Sequence, residues 1–330
     1  MYRIHSPQID GTCEYRAIIN LERVREIIRA EKPDLIECAD PYQLAWMILN
    51  ETREMNIPAV AFYHSHFPEA CFGFVRRFGT RLASSVNKYS KLYVNLLYNR
   101  FRHTFVPSAS LAEVLTAWGV ENVVAVDLGV DTAIFSPGPR EEERRSELNV
   151  EEDQIFLLYV GRLAFEKNLH TLVRAFGLLD DVSPGKYRLH FIGQGSLGNE
   201  LRALSKKRPR ISIQSYLSDS ADLVRNYRAA DIFVHPGVHE TFGLVTLEAQ
   251  ACGLPVIGIR GTFMDSLAFS GLDYWASENS PESLAFAISK FSNLPMVEVG
   301  RKASQIAHRN YSWAEVFKRL FALYDAVLPS

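Results

Sequence analysis

No run of eighteen consecutive apolar residues occurs in this chain, and its opening MYRIHSPQID lacks the basic, apolar and small-residue zones of a secretory signal. A membrane-spanning helix is therefore excluded, while attachment to a membrane surface is not. Cysteine is scarce: Cys13, Cys38, Cys71 and Cys252 are the only four in 330 residues, with no CxxC pair. That spacing argues against a zinc site or a disulfide framework and fits reduced thiols in a cytoplasmic protein, with no metal. Excess charge is absent too. A net charge of −2 excludes a molecule built as a whole to bind nucleic acid.

What is present is an ordinary globular balance, 47% hydrophobic and 22% charged, in a length that accommodates two domains. Short β-rich runs alternate with helical patterns, the signature of βα units around parallel sheets. In the first half the runs are residues 34–37, 58–63, 104–107 and 123–127, separated by helical patterns at 20–31, 42–55 and 109–119. A Pro-, Gly- and charge-rich stretch, SPGPREEERRSELN (136–149), reads as a linker. Beyond it come strands at 154–160, 188–193, 211–214, 231–235 and 255–259. Ser280-Pro281 marks one helix start, and Ser312 with Glu315 reads as a capping box for a last helix at about 313–327. The expected fold class is α/β, with two Rossmann-like domains facing across a cleft. The expected limits are 1–137, a linker at 138–150, a donor domain at 151–308, and a C-terminal helix at 309–330 packing back on the first domain.

In open parallel sheets ligands bind beyond the carboxyl ends of the strands. Three segments of the second half bring polar groups there. Gly161-Arg162 leaves the first strand and leads to Lys167; Gly193-Gln194-Gly195 leaves the second; PGVHETFGL leaves the strand at 231–235 and enters a helix near Phe242 or Gly243. A helix N-terminus presents unpaired N–H groups and partial positive charge, which favour phosphate, and Gly243 permits close backbone approach. Arg162 and Lys167 supply the countercharge a diphosphate needs. Glu240 before the helix and Glu248 within it, up to about 12 Å apart along the axis, would be repelled by phosphate. They suit hydroxyl groups on either side of it, a ribose at one end and a sugar at the other. The implied ligand is a nucleotide sugar. Each feature alone has a plainer explanation: a chance pair of acids, a tight glycine turn, a solvated helix start. Their convergence on successive strand ends makes the functional explanation the stronger one.

The segments GRLAFEKNLHTLVRAF, FIGQGSLGNEL, LGVDTAIFSPG and YRAADIFVHPGVHETFGLVTLEAQACGLPVIG resemble the family-4 retaining glycosyltransferases of GT-B architecture, over roughly residues 20–330. The first half, through EYRAIINLERVREIIRAEKPDLIECADPY and FYHSHFP, is most similar to bacterial lipid-directed mannosyl- and glycosyltransferases. The resemblance implies that Gly161, Arg162, Lys167 and Gly193 hold the donor diphosphate region. Glu240 would contact the donor sugar, Glu248 the nucleotide ribose, and the backbone at Phe242, Gly243 and Leu244 phosphate and sugar. His64 would face the donor sugar, and His66 the acceptor side. It further implies retention, no metal or other cofactor, departure of the diphosphate through an oxocarbenium-like state, and GDP-mannose as the first candidate donor.

One departure stands out. The strand, glycine-rich loop and helix that normally open a GT-B first domain are not seen in MYRIHSPQIDGTCEYRAIINLERV, as though about sixty residues were missing. On that basis a catalytically weak donor-binding protein is the main alternative, with a sugar-nucleotide epimerase behind it. Finally, no acidic residue lies between Glu69 and Glu113, where Arg76, Arg77, Arg81, Lys88, Lys91, Arg100 and Arg102 alternate with aromatics. Such a segment suits peripheral contact with an anionic membrane, at the inner face of the plasma membrane, through residues 71–103. A helix pair with a solvated basic face explains it as well.

Overall fold

The computed structural model describes residues 1–7, 16, 18–64 and 80–328. His66 and residues 71–79 of the basic aromatic segment lie outside the described residues. The chain divides into two compact units, Met1–Val126 with Lys318–Ser330, and Asp127–Phe317.

The first unit carries a parallel sheet in the order β1 (Ile36–Cys38), β2 (Ala59–Phe62), β3 (Thr104–Val106), β4 (Val123–Ala125). The crossovers are α2 (Gln43–Met55), α3 (Thr80–Tyr98) and α4 (Ala109–Ala117), with α1 (Leu21–Glu31) ahead of β1. Asn20 caps α1, its side chain accepting from Arg23 N, and Ser108 caps α4 in the same way at Leu111 N. Glu51 on α2 is buried and holds Arg25 and Arg29 of α1, so that pair of helices is tied by charge as well as by packing. Val60 and Phe105 of the sheet pack against Val126, Leu320 and Val327.

The second unit has five parallel strands in the order β7 (Ile211–Gln214), β6 (Tyr187–Ile192), β5 (Ile155–Val160), β8 (Ile232–Val234), β9 (Val256–Ile257). The chain winds outward from β5 to β7, with α7 (Gly198–Lys207) between β6 and β7, then returns to pair β8 on the other side of β5. Strand order thus reverses between β5 and β8, and a crevice opens at the carboxyl ends of such a pair. Both faces of β5 are buried. Ile155, Leu157 and Tyr159 join one core with Phe176 and Leu172 of α6 (Leu169–Val182) and Leu284 and Ile288 of α10 (Pro281–Phe291). Leu158 and Val160 join the other, with Tyr227 of α8 (Ser220–Ala229) and Leu247 of α9 (Leu244–Ala251). A near-continuous apolar run is what a doubly covered parallel strand requires.

The stretch read as a linker is part of the second unit. Residues Glu142–Glu147 form the short helix α5, and its Arg145 is buried. The Arg145 guanidinium donates to Ala229 O and Asp231 Oδ2, both at 2.9 Å, and to Gln154 O at 2.9 Å. Asp231 Oδ2 also accepts from Phe156 N at 2.7 Å, so the starts of β5 and β8 are clamped together through this pair. A buried charge is tolerated only when its hydrogen bonds are met, and here they are. The two compact units meet at Asp127 and at Lys318. After α11 (Met296–Tyr311), α12 runs Trp313–Asp325, with Glu315 N donating to Ser312 Oγ at 3.4 Å. Its later part belongs to the first unit, where Tyr324 packs on Phe105 and donates to Glu37 at 2.5 Å. No helix among the described residues is long and apolar enough to cross a membrane.

Candidate active site

Past β5 the chain turns at Gly161, and past β6 at Gly193. A Cβ at 193 would lie 1.9 Å from Gly161 O, so only glycine lets the two strand exits run this close. Leu163 N donates to Gln194 O, which continues the contact beyond the sheet. Arg162 follows on this ledge, 57% exposed, its Nη1 3.4 Å from Glu166 Oε1. A single 3₁₀ turn, Phe165–Lys167, then leads into α6.

Asn168 fixes that turn. It adopts the left-handed conformation (φ 58°), and its Nδ2 donates to Pro236 O at 2.9 Å and to Asn279 Oδ1 at 2.7 Å. The exit of β5 is thereby bonded to the exit of β8. Across the same junction Lys167 Nζ donates to Glu240 Oε1, both side chains largely buried. His235, at the end of β8 and 3% exposed, brings Nε2 to 3.4 Å from that same oxygen. Burial pushes the Glu240 carboxyl up, but the hydrogen bonds and charge supplied by His235 and Lys167 outweigh it and hold the group at about 2.

Helix α9 opens at Gly243, left-handed at φ 93°, with no side chain capping it. A Cβ there would also sit 2.3 Å from Met264 Sδ. The first turn of a helix leaves its N–H groups without intrahelical partners, and no acidic side chain occupies this one. Phe242 is buried against Tyr311 and anchors the mouth, while Leu244 is exposed. One turn in, Glu248 Oε2 accepts from Tyr227 Oη at 3.1 Å. Burial raises its carboxyl to about 7, and the bond from Tyr227 offsets this only in part.

The structure therefore brings Lys167, Glu240 and the mouth of α9 into one neighbourhood at the strand-order reversal. Arg162 stands on the same strand exit as Lys167, yet bonds to Glu166 and not to Glu240. His64 lies two residues beyond β2 in the first unit, exposed, with its ring 6.5 Å from that of Phe62. Sequence reasoning missed His235, Asn168, Tyr227 and Glu166. Only the histidine ending an otherwise apolar strand, DIFVH, offered a local signal.

Residues 140–311 match the family described as glycosyl transferases group 1, and residues 3–134 match glycosyltransferase family 4. The chain belongs to the group 1 glycosyl transferases. This group 1 chain is 31% identical over 241 residues to the sulfoquinovosyl transferase SQD2 of Arabidopsis thaliana, covering 72% of itself and 44% of that protein. It is 28% identical over 329 residues to a GDP-mannose-dependent alpha-(1-6)-phosphatidylinositol dimannoside mannosyltransferase of Mycobacterium tuberculosis, covering 99% of itself and 81% of the relative. It spans about half the length of several of the relatives it matches. Among solved structures, Anabaena HepE in complex with UDP and glucose superposes with a TM-score of 0.72 at 16% identity, over 92% of this chain and 80% of that one. The fold of this glycosyl transferase is GT-B, each unit a Rossmann-like parallel sheet.

Proposed function

We propose that this chain is a retaining glycosyltransferase that moves a hexose from a nucleotide diphosphate sugar to a hydroxyl acceptor without a metal. Mannose from GDP-mannose is the first candidate, as in the name of the mycobacterial relative. The observation that carries the proposal is the Lys167–Glu240 pair, joined from two strand exits beside an uncapped helix mouth. Donor diphosphate at the start of α9 would meet oriented N–H groups, with Lys167 and Arg162 as countercharge. In transfer the bond from the anomeric carbon to the phosphate oxygen breaks, and the electron pair leaves with the diphosphate. The acceptor hydroxyl attacks the same face, and its proton passes to the departing phosphate. Charge growing on that oxygen is what the helix and the two cations stabilise, each such donor being worth about 10²–10³-fold in rate. Glu240 is assigned to the donor sugar's hydroxyl groups and Glu248 to the ribose.

A lipid or glycolipid acceptor is favoured by one feature of α3. Tyr89, Leu92 and Leu96 are 69%, 54% and 53% exposed, and a spacing of three and four residues puts them on one helix face. Lys88 is exposed beside them. An apolar stripe edged by lysine suits the surface of an anionic membrane.

The test is incubation with GDP-mannose, UDP-glucose and other nucleotide sugars, reading released nucleoside diphosphate. Release that Glu240→Ala abolishes, with cooperative unfolding retained, supports transfer. Binding without release would replace the proposal by a donor-binding protein, and interconversion of donor sugars by an epimerase.

A further inference from the structure

Glu240 takes both of its partners on one oxygen. Lys167 Nζ and His235 Nε2 meet Oε1, and Oε2 has no partner among the described residues. The imidazole that does this is oddly placed for a core side chain. His235 packs between the rings of Tyr159 and Phe233, each 6.4 Å away, and its Nδ1 is buried with no hydrogen-bond partner among the described residues. A buried nitrogen without a partner is a cost to folding. Leucine would fill similar space without that cost, so packing alone does not account for histidine.

The loop after β8 is shaped around the same ring. His235 N donates to Ile257 O at 2.8 Å, which fixes the residue at the end of the sheet. A Cβ at Gly237 would lie 2.8 Å from His235 Cε1 and 3.4 Å from Glu240 Oε1. Glycine there lets residues 236–240 fold back over the imidazole and lower Glu240 onto it. Nε2 is the ring nitrogen turned to the carboxylate, so its N–H is the one aimed at Oε1. The 3.4 Å separation is long for a hydrogen bond, as contacts in ligand-free sites often are before substrate tightens them.

We infer that His235 is a positioning residue: it fixes Glu240 through Oε1 so that Oε2 is presented to the donor sugar. The inference rests on the proposed transfer for its meaning, though the clamp itself does not. Freed from His235, Glu240 would keep Lys167 but lose its fixed plane, and a misplacement of about 1 Å can cost on the order of a hundredfold in rate. Nucleoside diphosphate alone, which does not need Oε2, would be unaffected.

Two variants separate positioning from packing. His235→Leu keeps the volume and removes the donor; His235→Gln restores an N–H near the place of Nε2. With GDP-mannose and UDP-glucose as donors and GDP and UDP as binding probes, His235→Leu should lower kcat by about tenfold to a hundredfold. KM and nucleoside diphosphate affinity should stay within about twofold, and His235→Gln should recover most of kcat. Equal losses in the two variants, or a loss of GDP and UDP affinity that matches the loss of kcat, would overturn the inference. If the wild-type protein turns over no donor, the transfer reading fails, and the clamp is still read by carboxyl ¹³C NMR. Glu240 must then titrate at least one unit higher in His235→Leu than in wild type, and an unmoved titration refutes the clamp.

Discussion

Glu240 and Glu248 come from one short segment, yet the loop between β8 and α9 holds the first carboxyl at about 2, and the body of α9 holds the second at about 7. Both are largely buried, and burial alone raises either one. What differs is who else arrives. Lys167 reaches Glu240 from the exit of β5 and His235 from the exit of β8, so two strand ends deliver charge and hydrogen bonds to a single oxygen. Glu248 looks into the α8 side of the sheet, where its hydrogen-bond partner among the described residues is the neutral phenol of Tyr227. The same residue type is kept ionised where strand exits converge and is brought close to neutrality within a helix packed on the core. Under the proposed assignment of Glu240 to the sugar and Glu248 to the ribose, the first acceptor would stay ionised and the second would depend on pH.

The largest expected effect breaks the Glu240 side. Lys167→Ala leaves a buried carboxylate with His235 alone, so unfolding in urea should show a loss of about 3 kcal/mol at neutral pH. Nucleoside diphosphate release should fall by about 10²–10³-fold. A stability change below about 1 kcal/mol would mean that water and His235 already satisfy Glu240. Because its folded value lies below the ordinary 4.5, the stability from Glu240 is present above pH 4.5 and lost as pH falls towards 2.

Glu248 has the opposite sign. Its folded value of about 7 lies above the ordinary 4.5, so the folded protein keeps a proton that the unfolded chain has released between those values. Stability from this group is therefore full below pH 4.5 and lost as pH rises through 7. Glu248→Gln should match wild type below pH 4.5 and exceed it at pH 8, by at most about 3 kcal/mol for a shift of this size. Donor affinity in wild type should strengthen from pH 6 to 8, as the carboxylate that would accept the ribose hydroxyls forms, and should be flat in the variant. A wild-type affinity without slope would remove Glu248 from the ribose.

The contrast between the acids was not legible in the sequence, although the segment carrying them was. Apolar runs such as IFLLYV announced their strands, and Ser280-Pro281 and Ser312 announced helix starts, because period and capping are local. The Lys167–Glu240 pair joins residues 73 apart, and no local pattern encodes which of two strand exits a lysine will lean across. Arg145 misled for a related reason. Within PREEERRSELN every charge looks solvated, and only the fold reveals that one guanidinium closes on Ala229, Gln154 and Asp231 in the interior. The sequence placed His235 at the end of an apolar run, but its burial is set by β9 and the returning loop.

The smallest expected effect sharpens the comparison most cleanly. Tyr227→Phe removes one oxygen from a fully buried side chain whose ring, set edge-on to Phe135 and Phe233, stays where it is. The hydroxyl has one hydrogen, lies 3.1 Å from Glu248 Oε2 and 3.3 Å from Val245 O, and favours the charged form of the acid when it donates there. A bond to a neutral carboxyl is worth about 1 kcal/mol, and one to a carboxylate about 1.5–3. The cost of Tyr227→Phe should thus be near 1 kcal/mol at pH 5 and about twice that at pH 8, measured by urea unfolding at each pH. Glu248 should titrate still higher, and Glu240 should not move. A cost that is flat with pH would mean that the phenol serves Val245 O, leaving burial alone to set the second acid.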